Sequence, residues 1–112
     1  MNIDNKSIAD LRSLIKNAFS GNKAIVKIVL FGSIARGEEK PDSDIDLLII
    51  TKDNISKEKA LATIDRLNGL FVACFGNSIS AIIYSKKERT ARQKLNLISR
   101  INKEGIVIFE RQ

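Results

Sequence analysis

Asp44 and Asp46 sit two residues apart at the start of an apolar run, and a glycine–serine turn, Gly32-Ser33, ends the apolar run before it. On a strand, side chains at i and i+2 share a face, so the two aspartates present their carboxylates side by side. Adjacent carboxylates repel unless a cation lies between them. Magnesium takes such oxygen ligands and usually keeps waters and substrate phosphates in its shell. A glycine straight after a strand lets the backbone bend with its amides exposed and leaves room for a phosphate to approach. Ser33 adds a hydroxyl donor, Arg36 adds positive charge and Gly37 lets the chain leave the turn. A helix beginning near Ser33 would add free amides and their dipole. A phosphate turn facing a metal pair is the arrangement that metal-assisted phosphoryl or nucleotidyl transfer requires. Either half alone is more often structural, since Gly-Ser is a common turn and Asp-x-Asp a common strand start or Asx turn. The two in this order and spacing are more specific.

The rest of the chain must position these groups. Its 112 residues suggest a single domain, 1–112, with one modest core. Aromatics are only 5%, so that core is built from Ile, Leu, Val and Ala. The net charge of +6 favours phosphate-rich partners, nucleic acid among them, although many soluble proteins are as basic. The absence of histidine excludes histidine-based catalysis and the usual zinc sites within this chain. The single cysteine, Cys74, lies in the apolar run Leu70–Phe75 and reads as a buried, inert thiol. The polar start carries no secretory signal, and no apolar run approaches the roughly 18 residues that span a membrane. The expectation is a cytoplasmic protein with no membrane partner.

Helical spacing of Ile8, Leu11, Ile15 and Phe19 predicts a helix from about Asp4 to Phe19, capped by Asn5 or Ser7 and stopped by a left-handed Gly21. Residues 24–31 and 44–51 are short, β-branched and apolar, which predicts two buried strands. Ile45 and Leu47 would face the core, opposite the aspartates. The polar stretch between the strands, with the only proline, Pro41, predicts an exposed loop. A second helix is expected over 56–68 and closed by Asn68-Gly69, followed by a third strand over 70–75 and a fourth over 78–84, paired as a hairpin. Ser85-Lys86-Lys87-Glu88 matches a capping box opening a third helix that carries Leu95, Ile98 and Ile101, and 106–109 reads as a last strand. The order α-β-β-α-β-β-α-β implies an α/β (α+β) fold with a mixed sheet and helices packed against it.

The run Gly32-Ser33-Ile34-Ala35-Arg36-Gly37 followed by Ser43-Asp44-Ile45-Asp46-Leu47 resembles the signature of the nucleotidyltransferase superfamily related to DNA polymerase β, and the short length resembles its minimal members. The resemblance implies a mixed-sheet nucleotidyltransferase fold. It implies nucleotide binding by Gly32, Ser33, Arg36 and Ser43, and catalysis and Mg2+ binding by Asp44 and Asp46. The implied reaction moves a nucleoside monophosphate from a nucleoside triphosphate, expected to be ATP, onto a hydroxyl of a protein, nucleic acid or small molecule. Minimal members are often paired with a HEPN-domain protein as toxin and antitoxin, the transferase silencing the toxin, so a HEPN-type partner is implied and an oligomer is compatible with it. One departure stands out. Active members usually carry a third carboxylate on a later strand, and the expected strand, Ser78–Tyr84, contains no acid. Ser80 or Ser78 stands in its place, with Asp65 and Glu88 as remote substitutes on helices. Loss of a positioned base typically costs about 10²–10⁴-fold in rate. The alternative to an enzyme is therefore a weakly active or inactive binding partner on the same fold. A nucleic-acid accessory role rests on charge alone. The basic stretch Lys86, Lys87, Arg89, Arg92, Lys94, Arg100 and Lys103 reads first as a solvated helix face, with no interleaved aromatics for base stacking.

Overall fold

A computed structural model describes residues 5–19, 21–38, 44–92 and 96–111. The chain runs α1 (Asn5–Phe19), β1 (Ile25–Phe31), α2 (Gly32–Ala35), β2 (Ile45–Thr51), α3 (Ser56–Phe75), β3 (Ile79–Ser85), α4 (Lys86–Arg92), α5 (Asn96–Glu104) and β4 (Ile106–Glu110). The four strands form one mixed sheet in the order β3-β2-β1-β4. β1 pairs antiparallel with both β2 and β4, and β2 pairs parallel with β3. The α+β class and mixed sheet expected from the sequence are both present.

The two sheet faces have different partners. Ile28, Leu30, Ile45, Leu47 and Ile49 point to one face, where Leu11, Ile15 and Phe19 of α1 and Ala60, Ile64, Leu67 and Phe71 of α3 complete the main core. Val29, Leu48 and Ile50 point to the other, where Ile98 and Ile101 of α5 cover them. β1 and β2 are thus buried on both sides, which accounts for their near-continuous apolar runs. Alternation along β2 puts Asp46 on the α5 face, while Ile45 and Leu47, both fully buried, anchor the strand in the main core.

The structure corrects several local expectations. Residues 70–75 are not a strand, and there is no hairpin with 78–84. α3 runs through Asn68-Gly69 to Phe75 and ends at Gly76 (φ +75), whose N–H donates to the Val72 carbonyl at 3.0 Å. Phe71 lies four residues beyond Leu67 on the face formed by Ala60 and Ile64, so core burial extends the helix past a glycine that costs it about 1 kcal/mol. Asn68 does not stop the helix. Its Oδ1 accepts the Ile79 N–H at 2.7 Å and seats the first residue of β3. The backbone at Cys74 is accordingly helical.

Gly21 does not adopt a left-handed conformation. α1 closes through an Asn22 N–H to Phe19 carbonyl bond of 3.0 Å, a tight turn that needs no positive φ. α1 already begins at Asn5, which places Ser7 inside its first turn rather than at a cap. The third predicted helix is described over two stretches, α4 and α5, and the residues between them, Leu95 included, fall outside the described residues. Its capping box forms as expected: the Glu88 N–H donates to Ser85 Oγ at 3.2 Å and the Ser85 N–H to Glu88 Oε1 at 3.0 Å. Lys57 on α3 donates to the same Glu88 oxygen at 2.9 Å and ties α4 to α3. Together these bonds hold the Glu88 carboxyl below the usual glutamate range, with Lys57 the largest cause.

Candidate functional site

The site forms where β1 ends and β2 begins, because antiparallel pairing brings those two ends together. Phe31 is the register partner of Asp46, so Gly32, one residue on, lies beside the aspartate. Gly32 has φ +76, a conformation open to glycine and strained for any residue with a Cβ. Its bare Cα also receives the Asp46 side chain: a Cβ built at Gly32 would collide with Asp46 Oδ2. The turn glycine therefore makes room for the carboxylate as well as for the bend.

The expected helix begins at this turn but is only the four residues of α2, closed by an Arg36 N–H to Gly32 carbonyl bond of 3.1 Å. Buried Ile34 pins it to the core, and Ser33 is half-buried beside it. The amides of the first turn have no preceding helical carbonyl to bond.

Asp44 is exposed just before β2 and Asp46 is half-buried within it. Burial holds the Asp46 carboxyl above the usual aspartate range. The charge of Asp44 pushes the same way, and Arg36 opposes both. The two aspartates and Arg36 thus share one electrostatic neighbourhood. A half-buried carboxylate raised by its own desolvation and by a second carboxylate is a donor set short of positive charge. Two carboxylates with room for waters and phosphates fit magnesium.

Arg36 is bracketed by acids. Its Nε donates to Glu38 Oε2 at 3.1 Å, and its Nη1 lies 3.6 Å from Glu104 Oε2 at the end of α5. These contacts raise its pKa, the Glu38 hydrogen bond most. The sequence reading missed both acids. The spacing Arg36-x-Glu38 could have suggested one, but nothing local links residue 104 to residue 36. A small cavity of about 110 Å3 opens here, lined by Phe31, Gly32, Arg36, Arg100, Ile101 and Glu104.

Gly32, Arg36, Asp44 and Asp46 lie around one turn, with Ser33 next to Gly32 in the chain, whereas Ser43 lies outside the described residues. The parallel register decides between the two serines considered for the third acid. Ser80 is the partner of Asp46 and shares its face, while Ser78 precedes the strand and offers its carbonyl to the Ile45 N–H at 2.8 Å. Among the described residues, no group of three or more metal-ligating acids, cysteines or histidines forms. Glu88 is committed to Lys57 and the α4 cap, and Asp65 is exposed on α3.

Residues 13–112 match the family model described as polymerase beta, nucleotidyltransferase. The chain belongs to this nucleotidyltransferase family. A protein of Methanocaldococcus jannaschii, named as a candidate protein adenylyltransferase, is 29% identical over 106 residues, which covers 95% of this chain and 98% of the relative. Among solved structures, a candidate minimal nucleotidyltransferase superposes with a TM-score of 0.63 at 22% identity and covers 95% of both chains. A chain from a toxin–antitoxin complex with AMP-PNP superposes with a TM-score of 0.57 at 17% identity, over 90% of this nucleotidyltransferase and 74% of that chain. No described helix is long and apolar enough to cross a membrane.

Proposed function

We propose that this nucleotidyltransferase moves the nucleoside monophosphate of a nucleoside triphosphate, with ATP as substrate and Mg2+ as cofactor, onto a hydroxyl of a partner protein. The observation that carries the reading is the Asp46 carboxylate seated against the bare Cα of Gly32, with Asp44 and Arg36 within electrostatic reach. This puts the groups suited to phosphate and those suited to a divalent cation on either side of one turn. The turn amides, Ser33 and Arg36 hold the phosphates, with Ser43 as a further nucleotide-side residue. Asp44 and Asp46 hold the metal. Magnesium bound there supplies charge stabilisation at the transferred phosphoryl group and lowers the pKa of the attacking hydroxyl. Arg36 must exchange at least part of its pairing with Glu38 and Glu104 for phosphate oxygens, so those acids hold it in place before substrate arrives. A protein acceptor and a toxin-type partner are supported by the candidate adenylyltransferase relative and by the toxin–antitoxin neighbour.

Ser80 favours a second reading, a partner-binding protein with weak catalysis. Its hydroxyl, directly across from Asp46, can orient a water but supplies neither charge nor a base at neutral pH. One experiment separates the two readings. The protein is incubated with α-labelled ATP, Mg2+ and a HEPN-type partner, alongside Asp44→Asn, Asp46→Asn and Ser80→Asp. Label on the partner that both asparagine variants abolish supports the enzyme. Ser80→Asp restores the third carboxylate and is expected to raise the rate by about 10²-fold or more. A stable complex with no label from any nucleotide, in wild type and Ser80→Asp alike, refutes transfer and leaves the binding reading.

A further inference from the structure

A second cavity lies at the other end of the β1–β2 ladder from the Gly32–Asp46 site. It is a cleft of about 720 Å3 between the end of α1, the segment leading into β1, the exit of β2 and one face of α3. Its exposed rim carries Lys23, Lys52, Lys59 and Arg66, and among the described residues no carboxylate lines it. We propose that this cleft is a second anion site that binds a run of phosphates, such as a nucleic-acid backbone presents.

Cation placement supports the assignment. Ser56, Lys59, Thr63 and Arg66 recur every three or four residues, so α3 turns one continuous face to the cleft. The two hydroxyls of this face are buried, and their protons are already used: Ser56 Oγ donates to Asp53 Oδ1 at 2.7 Å and Thr63 Oγ1 to the Lys59 carbonyl at 3.1 Å. They form the floor, and the ligand contacts fall to the cations above. Lys23 is held over the cleft by a turn in which the Ala24 N–H donates to Asn22 Oδ1 at 3.0 Å. Among the described residues, none of the salt bridges takes up Lys23, Lys52, Lys59 or Arg66. Asp53, next to Lys52, caps the start of α3 and feels the charge of Lys52. Three cations are left uncompensated at the least.

The basic stretch the sequence singled out is a separate surface. Its described cations lie on α4 and α5, elements that do not line the cleft, and Lys94 falls outside the described residues. The cations of the cleft come from α3, the exit of β2 and the β1 approach.

Geometry separates this cleft from the nucleotide turn. β1 spans Ile25–Phe31, and at about 3.4 Å per residue its ends are about 20 Å apart. The phosphates of one nucleotide do not reach both places. Among the described residues no aromatic side chain lines the cleft, which suits a phosphate chain rather than a stacked base. Phosphate runs come from two sources, a nucleic-acid strand or a free polyphosphate, and both present the same chemistry to the cleft.

The test is fluorescence anisotropy with a labelled oligothymidylate, in EDTA, with inorganic tripolyphosphate as competitor. If four cations each neutralise one phosphate, log affinity falls against log salt with a slope of about −2.8, so a fourfold rise in salt weakens binding about 50-fold. In Lys23→Ala/Lys59→Ala/Arg66→Ala only Lys52 remains, and the same salt rise weakens binding about threefold. All three positions are exposed, and circular dichroism with thermal melting verifies that the variant folds. Displacement by tripolyphosphate only in large excess identifies the strand backbone as the source. Displacement at or below the oligonucleotide concentration identifies a free polyphosphate. Both outcomes support the cleft. The proposal is overturned if neither ligand binds, if the triple variant binds with an unchanged slope, or if Lys86→Ala/Lys87→Ala/Lys103→Ala alone removes binding. Asp46→Asn retains this binding, so failure of the cleft and failure of the transfer reaction are separately visible.

Discussion

Two glycines with nearly identical φ allow a matched experiment on the site. Gly32 has φ +76 and Gly76 has φ +75. Alanine at either position must adopt a positive φ, at roughly 1–2 kcal/mol. For a domain of this size that corresponds to a melting temperature lower by about 5–10 °C. The surroundings differ. A Cβ at Gly76 meets nothing within 4 Å, whereas one at Gly32 collides with Asp46 Oδ2 and comes within 3.2 Å of Asp46 Cβ. The colliding atom is the end of a short side chain that can rotate away, so Gly32→Ala costs the fold little beyond the shared strain. It costs the site much more, because the carboxylate that rotates is the one proposed to hold metal. We expect similar melting temperatures for the two variants. Mn2+ binding and nucleotidyl transfer should fall at least about tenfold for Gly32→Ala, since small displacements of reacting groups carry large rate penalties. Gly76→Ala should keep both. Calorimetry with Mn2+ gives a readout that needs no acceptor. Wild-type metal affinity and transfer in folded Gly32→Ala would refute the argument that this glycine makes room for Asp46.

Two further predictions concern the scaffold. The Glu88 carboxyl is held below its ordinary value of 4.5, so its contribution to stability is present above that value and is lost as pH falls through the lowered one. Glu88→Gln should therefore melt below wild type at neutral pH, with the gap closing under acid; a gap that stays constant from pH 7 to pH 3 would contradict the assignment. A Cβ at Gly105 would meet Val29 Cγ1 and the Ile101 carbonyl, where α5 turns tightly into β4. Gly105→Ala should lower stability by about 1–3 kcal/mol through overpacking, read as a reduced urea midpoint with an unchanged slope; an unchanged midpoint would refute the close approach.

Local sequence determined the parts of this protein whose physics is local. β1 and β2 were legible because each is a short β-branched run buried on both faces. The Gly32 turn was legible because a strand cannot continue through it. The Asp44–Asp46 pair was legible because strand alternation fixes which side chains share a face. The Ser85–Glu88 box was legible because all its partners lie within four residues. The apolar run Leu70–Phe75 was misread because six such residues suit a strand or a buried helix equally, and Asn68-Gly69 resembles a stop. Tertiary structure decided it: Phe71 completes the α3 face against the core, and Asn68 is used by Ile79 across the chain. Tertiary structure also decided that Ser80, not Ser78, faces Asp46, that Glu104 reaches Arg36, and that Lys23, Lys52, Lys59 and Arg66 line one cleft. Each of these depends on which segments become neighbours. Periodicity within one segment carries no record of that, because strand register and helix docking are set by the summed burial of residues far apart in the chain.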